Sequence, residues 1–78
     1  MNKRESQNKA FQVVDFLISA RDRKNISSYK ISRATGLSDS CLSRIKAHKQ
    51  NPTLATVIAI AKEIGVDWHD IADIINKE

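Results

Sequence analysis

A single cysteine, Cys41, excludes an internal disulfide and a cysteine-built zinc site in this chain of 78 residues. One proline and two glycines are too few turn formers for a β-rich fold of many short strands. No apolar run approaches the ~20 residues that cross a bilayer. The opening residues, Met1-Asn2-Lys3-Arg4-Glu5-Ser6-Gln7-Asn8-Lys9, are charged but lead into no apolar signal core, so a cytoplasmic location is expected. The length leaves room for one small domain over residues 1–78, without a deep catalytic cleft. No nucleophile–base pair or phosphate-cradling glycine loop is present, and His48 and His69 have no cysteine partner for a metal. Asp67, Asp70 and Asp73 share a helix surface but no pocket. Neither an enzyme nor a metal or cofactor is expected.

Basic and apolar residues are well supplied, and their placement is informative. Thirteen Lys and Arg against nine Asp and Glu give a net charge of +4. Residues 27–51 carry Lys30, Arg33, Arg44, Lys46 and Lys49 against Asp39 alone, so the positive field sits mid-chain. Residues 52–78 are acidic, with Lys62 and Lys77 against Glu63, Asp67, Asp70, Asp73 and Glu78.

Apolar spacing is helical almost throughout. Phe11, Val14, Leu17 and Ile18 predict a first helix over about 8–23, leaving 1–7 as a flexible arm. Ser27 is placed to cap a second helix that stops at Gly36, and Ser38 a third with Asp39 in its first turn. Asn51-Pro52 breaks the pattern, because the residue before proline avoids helical angles. Thr53 caps a fourth helix with Leu54, Val57, Ile58, Ala61 and Ile64 as its apolar stripe, ended by Gly65. Asp67 caps a fifth, with Trp68, Ile71 and Ile74 or Ile75 as its apolar face. The expected fold is all-α, a compact bundle of five short helices.

The second and third helices meet across Gly36-Leu37-Ser38, the short glycine-containing turn of a helix-turn-helix, over about residues 27–48. At 100° per residue, Leu42 and Ile45 point into the core. Ser40, Ser43, Arg44 and Ala47 point outward, with Asp39 at the leading edge. That face is slim and polar, as a helix entering a major groove about 12 Å wide must be.

The run Ile26-Ser27-Ser28-Tyr29-Lys30-Ile31-Ser32-Arg33-Ala34-Thr35-Gly36-Leu37-Ser38-Asp39-Ser40-Cys41-Leu42-Ser43-Arg44-Ile45 resembles the helix-turn-helix of phage repressors, Cro proteins and Xre-type regulators. Lys49-Gln50-Asn51-Pro52-Thr53-Leu54 and Ile60-Ala61-Lys62-Glu63-Ile64-Gly65-Val66 are similar to the loop and fourth helix that follow it there. The likeness extends over about residues 9–72. It implies a lambda-repressor-like fold and a sequence-specific regulator of transcription acting on double-stranded DNA. A monomer reads too few base pairs for tight selective binding, so a homodimer on a palindromic operator is expected; a repressor is the favoured role, with an activator left open.

On this resemblance Asp39, Ser40 and Arg44 are expected to read base edges, Ser28 to clamp a phosphate or touch a base edge, and Cys41, Lys49 and Asn51 to lie at phosphates. From its place on the outward face Ser43 joins the base readers, and the flanking cations Lys30 and Lys46 join the phosphate contacts. Arg44 is the foremost reader, since a guanidinium binds guanine O6 and N7 together. Asp39 cannot pair with a phosphate and is left to accept from cytosine N4 or to cap the helix. Thr35 replaces a typical leucine, so the hairpin core is expected to be slightly underfilled. His48 holds a helix end usually given to glycine. The C-terminal segment 66–78, through Trp68, Ile71, Ile74 and Ile75, is the expected dimer surface. A different class of function stays open: a protein-interaction module, such as an antitoxin holding a toxin, with DNA binding secondary or lost.

Overall fold

A computed structural model describes residues 1–77. It contains α1 (Lys3–Arg23), α2 (Ser28–Thr35), α3 (Asp39–Lys46), α4 (Leu54–Ile64) and α5 (Trp68–Asn76), with no strand among the described residues. Each start is fixed by a side chain that takes an otherwise orphaned backbone N–H. Ser27, Ser38 and Thr53 accept from the amides of Lys30, Cys41 and Thr56, and Asp67 accepts from that of His69. Caps of this kind contribute about 1 kcal/mol each. Gly36 and Gly65 end α2 and α4 in the left-handed region, at φ 72° and 82°.

Residues that seldom adopt that region end the other helices near the site. Asn25 and His48 have φ of 56° and 62°. At each, the reversal is closed by a pair of bonds characteristic of a Schellman motif. Around His48 these run from His48 N to Ile45 O and from Lys49 N to Arg44 O. The His48 ring stacks on Phe11 with centroids 4.5 Å apart, and its Nε2 lies 2.7 Å from Asp15 Oδ1. These contacts offset the strain and tie the end of α3 to α1.

The core lies where α1 crosses α4 and α5, with α2 and α3 closing its other side. Val13, Val14, Leu17 and Ala20 of α1 are buried with Ile31, Ile45, Ile60, Ala61, Ile64 and Ile71. Lys9 of α1 and Lys24, the residue that ends it, cap helices far along the chain. Lys24 Nζ donates to Ile64 O at 2.9 Å, and Lys9 Nζ to Ile74 O at 3.1 Å and to Lys77 O. A cation at a helix C-terminus opposes the negative end of the dipole.

Three expectations are corrected. α1 begins at Lys3, with Asn2 Oδ1 accepting from Glu5 N, so most of the segment expected to be an arm is helix. Polar residues 3–8 show no apolar period, and capping rather than packing starts the helix there. On α4 the buried positions are Thr56, Ile60, Ala61 and Ile64, whereas Leu54 and Ile58 are exposed. Val57, Ala61 and Ile64 of the expected stripe do pack into the core, and only its Leu54 and Ile58 turn outward, because apolar residues stand on both faces of α4. On α5, Ile71 is 1% exposed and Ile74 packs against the core, so neither is free to form a dimer surface. Only Trp68 and Ile75 of the four residues expected there face solvent. Thr35 has a bonding role besides. Its hydroxyl donates to Ile31 O at 2.9 Å and accepts from Leu37 N at 3.2 Å, using the position to fasten the turn.

The cap of α5 carries a pH signature. Accepting the His69 backbone N–H, and then the His69 ring, holds the Asp67 carboxyl below its ordinary value. A folded-state pKa below the unfolded one gives stability that is present above the ordinary carboxylate range and lost as pH falls through the lowered value. Asp67→Asn keeps an acceptor for the His69 amide but has no charge to lose. The wild-type chain is expected to lose more of its urea midpoint than Asp67→Asn between pH 5.5 and pH 3. Equal losses would remove Asp67 from the acid response.

Candidate nucleic-acid interface

The turn between α2 and α3 is locked from within. Ser32 Oγ donates to Leu37 O at 2.6 Å, joining the end of α2 to the residue before the cap of α3. Ile31 and Ile45 are buried beneath the pair, and Leu42 packs against the same core. With its inner side so anchored, α3 presents Ser40, Ser43, Arg44 and Ala47 to solvent, all four exposed. Asp39 is exposed in the first turn. It lies on the flank toward α1, bordering a cleft with Arg21, Ser43 and Lys46.

Exposed cations surround this strip: Lys30 and Arg33 on α2, Lys46 at the end of α3, and Lys49 in the loop after it. Asn51 is exposed in the same loop, ahead of α4. Arg33 lies with its guanidinium carbon 5.9 Å from the Tyr29 ring centroid. Ser28, the first residue of α2, is engaged by α1: its Oγ accepts from Arg21 Nη1 at 2.7 Å. Arg21 Nη2 is held by Asp22 Oδ1 at 3.1 Å, while its Nε is buried without a partner. Cys41 is half-buried, with Sγ accepting from Gln50 Nε2 at 3.2 Å.

Gln50 escapes sequence reasoning. Its Oε1 accepts from Arg44 Nε at 3.0 Å across six positions in the chain. No helical rule relates those two residues, since α3 has ended between them. The left-handed turn at His48 brings the loop back alongside α3, and a non-glycine residue gives little warning of it. Tyr29 is the other omission: it is 68% exposed, and only its spacing from Arg33 hints at their contact.

A family model described as Helix-turn-helix matches residues 17–71. The chain belongs to this helix-turn-helix family, of the Cro/Xre type. No curated protein and no solved structure matches it. The match takes in the end of α1, all of α2, α3 and α4, and the first turn of α5. This helix-turn-helix protein is accordingly a DNA-binding regulator, with the lambda-repressor-like arrangement of five helices expected for it. No helix among the described residues is long and apolar enough to cross a membrane.

Proposed function

We propose that the protein is a repressor that recognises a palindromic site in double-stranded DNA as a homodimer, with α3 lying in the major groove. The observation that carries this reading is the exposed strip Ser40, Ser43, Arg44 and Ala47, unobstructed by the rest of the chain and bordered by Lys30, Lys46 and Lys49. Ser40, Ser43 and Arg44 meet base edges, with Asp39 at the margin. Lys30, Lys46, Lys49 and Asn51 hold the backbone. Ser28 and Cys41, each already bonded inside the protein, approach phosphates with their remaining capacity.

Titration of labelled duplexes against salt tests it. Each neutralised phosphate contributes a slope of about −0.9 to log K against log salt, so several contacts give a steep fall. One sequence should remain preferred throughout. A flat, sequence-blind response would instead favour a protein-interaction module of the antitoxin kind.

The dimer reading rests on apolar side chains that the fold leaves uncovered. Leu54 and Ile58 of α4 are 67% and 48% exposed, and Trp68 and Ile75 of α5 are 46% and 44%. Met1, Leu54, Trp68 and Ile75 border one shallow depression, and Ile58 and Trp68 a second. Exposed apolar side chains gathered on one face mark a candidate contact surface. A second copy presenting the same patch about a two-fold axis covers it and sets two recognition helices about 34 Å apart, one DNA turn. Ile75→Asp is expected to leave the helical content unchanged while shifting the molar mass by light scattering from dimer to monomer. A dimer that survives the charge would locate the interface elsewhere.

A further inference from the structure

We infer that Gln50, in the loop after α3, is the positioning residue that fixes which edge of Arg44 is offered to DNA; the inference rests on the DNA-reading role proposed for α3. A guanidinium only donates, so the Gln50 atom 3.0 Å from Arg44 Nε is its carbonyl oxygen Oε1. That leaves the Gln50 amide nitrogen facing Cys41 Sγ, 3.2 Å away. Gln50 is therefore held at both ends of its amide, half-buried against α3, and has no freedom to flip.

The consequence for Arg44 is directional. Its Nε is occupied, while Nη1 and Nη2 make no hydrogen bond to protein among the described residues. The side chain thus offers the end-on pair of donors, Nη1 and Nη2, and withholds the side-on pair that includes Nε. Two parallel donors of that kind match the O6 and N7 acceptors of one guanine. An exposed arginine otherwise loses considerable rotamer freedom on binding, and Gln50 has removed part of that cost in advance. Specificity at this base is then shared between the recognition helix and a loop residue that does not itself touch the base.

The test compares wild type, Gln50→Ala and Gln50→Glu in selection from random duplexes, followed by binding to single-base variants of the selected site. In Gln50→Ala, preference for guanine at one position per half-site should fall about three- to tenfold, the range for freeing one long side chain. The slope against salt should stay unchanged, because no phosphate contact is removed. Gln50→Glu keeps the acceptor for Nε, so it should restore the preference even as its charge lowers affinity on every sequence alike. If Gln50→Ala binds with the wild-type profile, or Gln50→Glu fails to restore the preference, Gln50 does not position Arg44. If the wild-type protein selects no sequence at all, the DNA-reading role itself is wrong. Circular dichroism on both variants separates loss of fold from either result.

Discussion

Leu17→Ala is expected to lower the unfolding free energy by about 3–5 kcal/mol, the upper part of the range for this substitution. Leu17 is 1% exposed and sits midway along α1, the helix against which the others pack. Leucine-to-alanine losses combine the transfer energy of the removed methyl groups with the cost of the space left behind, and that second part varies with how far neighbours collapse. Leu17 already lines the partly open cleft of about 220 Å³ between α1 and α3, shared with Val14, Ile31, Leu42, Ile45 and Ile60. Its truncation enlarges a space that the core already leaves unfilled. A domain of this size has a total stability of about 4–12 kcal/mol. The variant should therefore show a much lower urea midpoint with little change in slope. A loss below about 1.5 kcal/mol would mean that the core closes over the gap, contrary to the packing described.

The regions legible in the sequence are those where one strong local rule acts without competition. Ser27, Ser38, Thr53 and Asp67 cap where their residue types predict, and Gly36 and Gly65 stop helices where they stand. Gly36-Leu37-Ser38 sets the helix-turn-helix, and the periodicity of α3 correctly separates buried Ile45 from exposed Ser40 and Arg44. Illegibility begins where two apolar faces share a helix. Leu54 and Ile58 fit the stripe of Ala61 and Ile64 by spacing, yet only the second pair is buried, together with Ile60. Which pair is buried depends on how α4 meets α1 and α2, a property of the assembled core.

Residues whose role depends on distant chain are hidden for a related reason. Lys9 and Lys24 read as surface cations, yet each is spent on carbonyls of another helix. His48 was recognisable as an awkward residue for a left-handed helix end, but its stacking on Phe11 and its bond to Asp15 were not. The same reversal creates the Arg44–Gln50 contact. The recognition helix could be found from local pattern, whereas the tuning of its central side chain could not.

Arg44→Ala follows from that tuning and should have the largest effect on recognition. Truncation is expected to cost about 1–3 kcal/mol on the preferred site, roughly five- to 150-fold in affinity, and to erase preference at one base position. Stability should scarcely change, since Arg44 is exposed and its protein bond is to Gln50 alone. Charge loss and base reading have different signatures. Removing a cation near the backbone weakens all sequences by similar factors, whereas removing a paired donor weakens the preferred guanine site most and leaves nonspecific binding largely intact. Binding of the variant to the selected duplex and to its single-base relatives, each measured across a salt series, separates the two. Uniform weakening would make Arg44 a phosphate contact, and the base-reading surface would then pass to Ser40, Ser43 and Asp39. A serine has one donor and an aspartate only acceptors, so none of the three can pair with guanine O6 and N7 as a fork, and discrimination through them would be weaker.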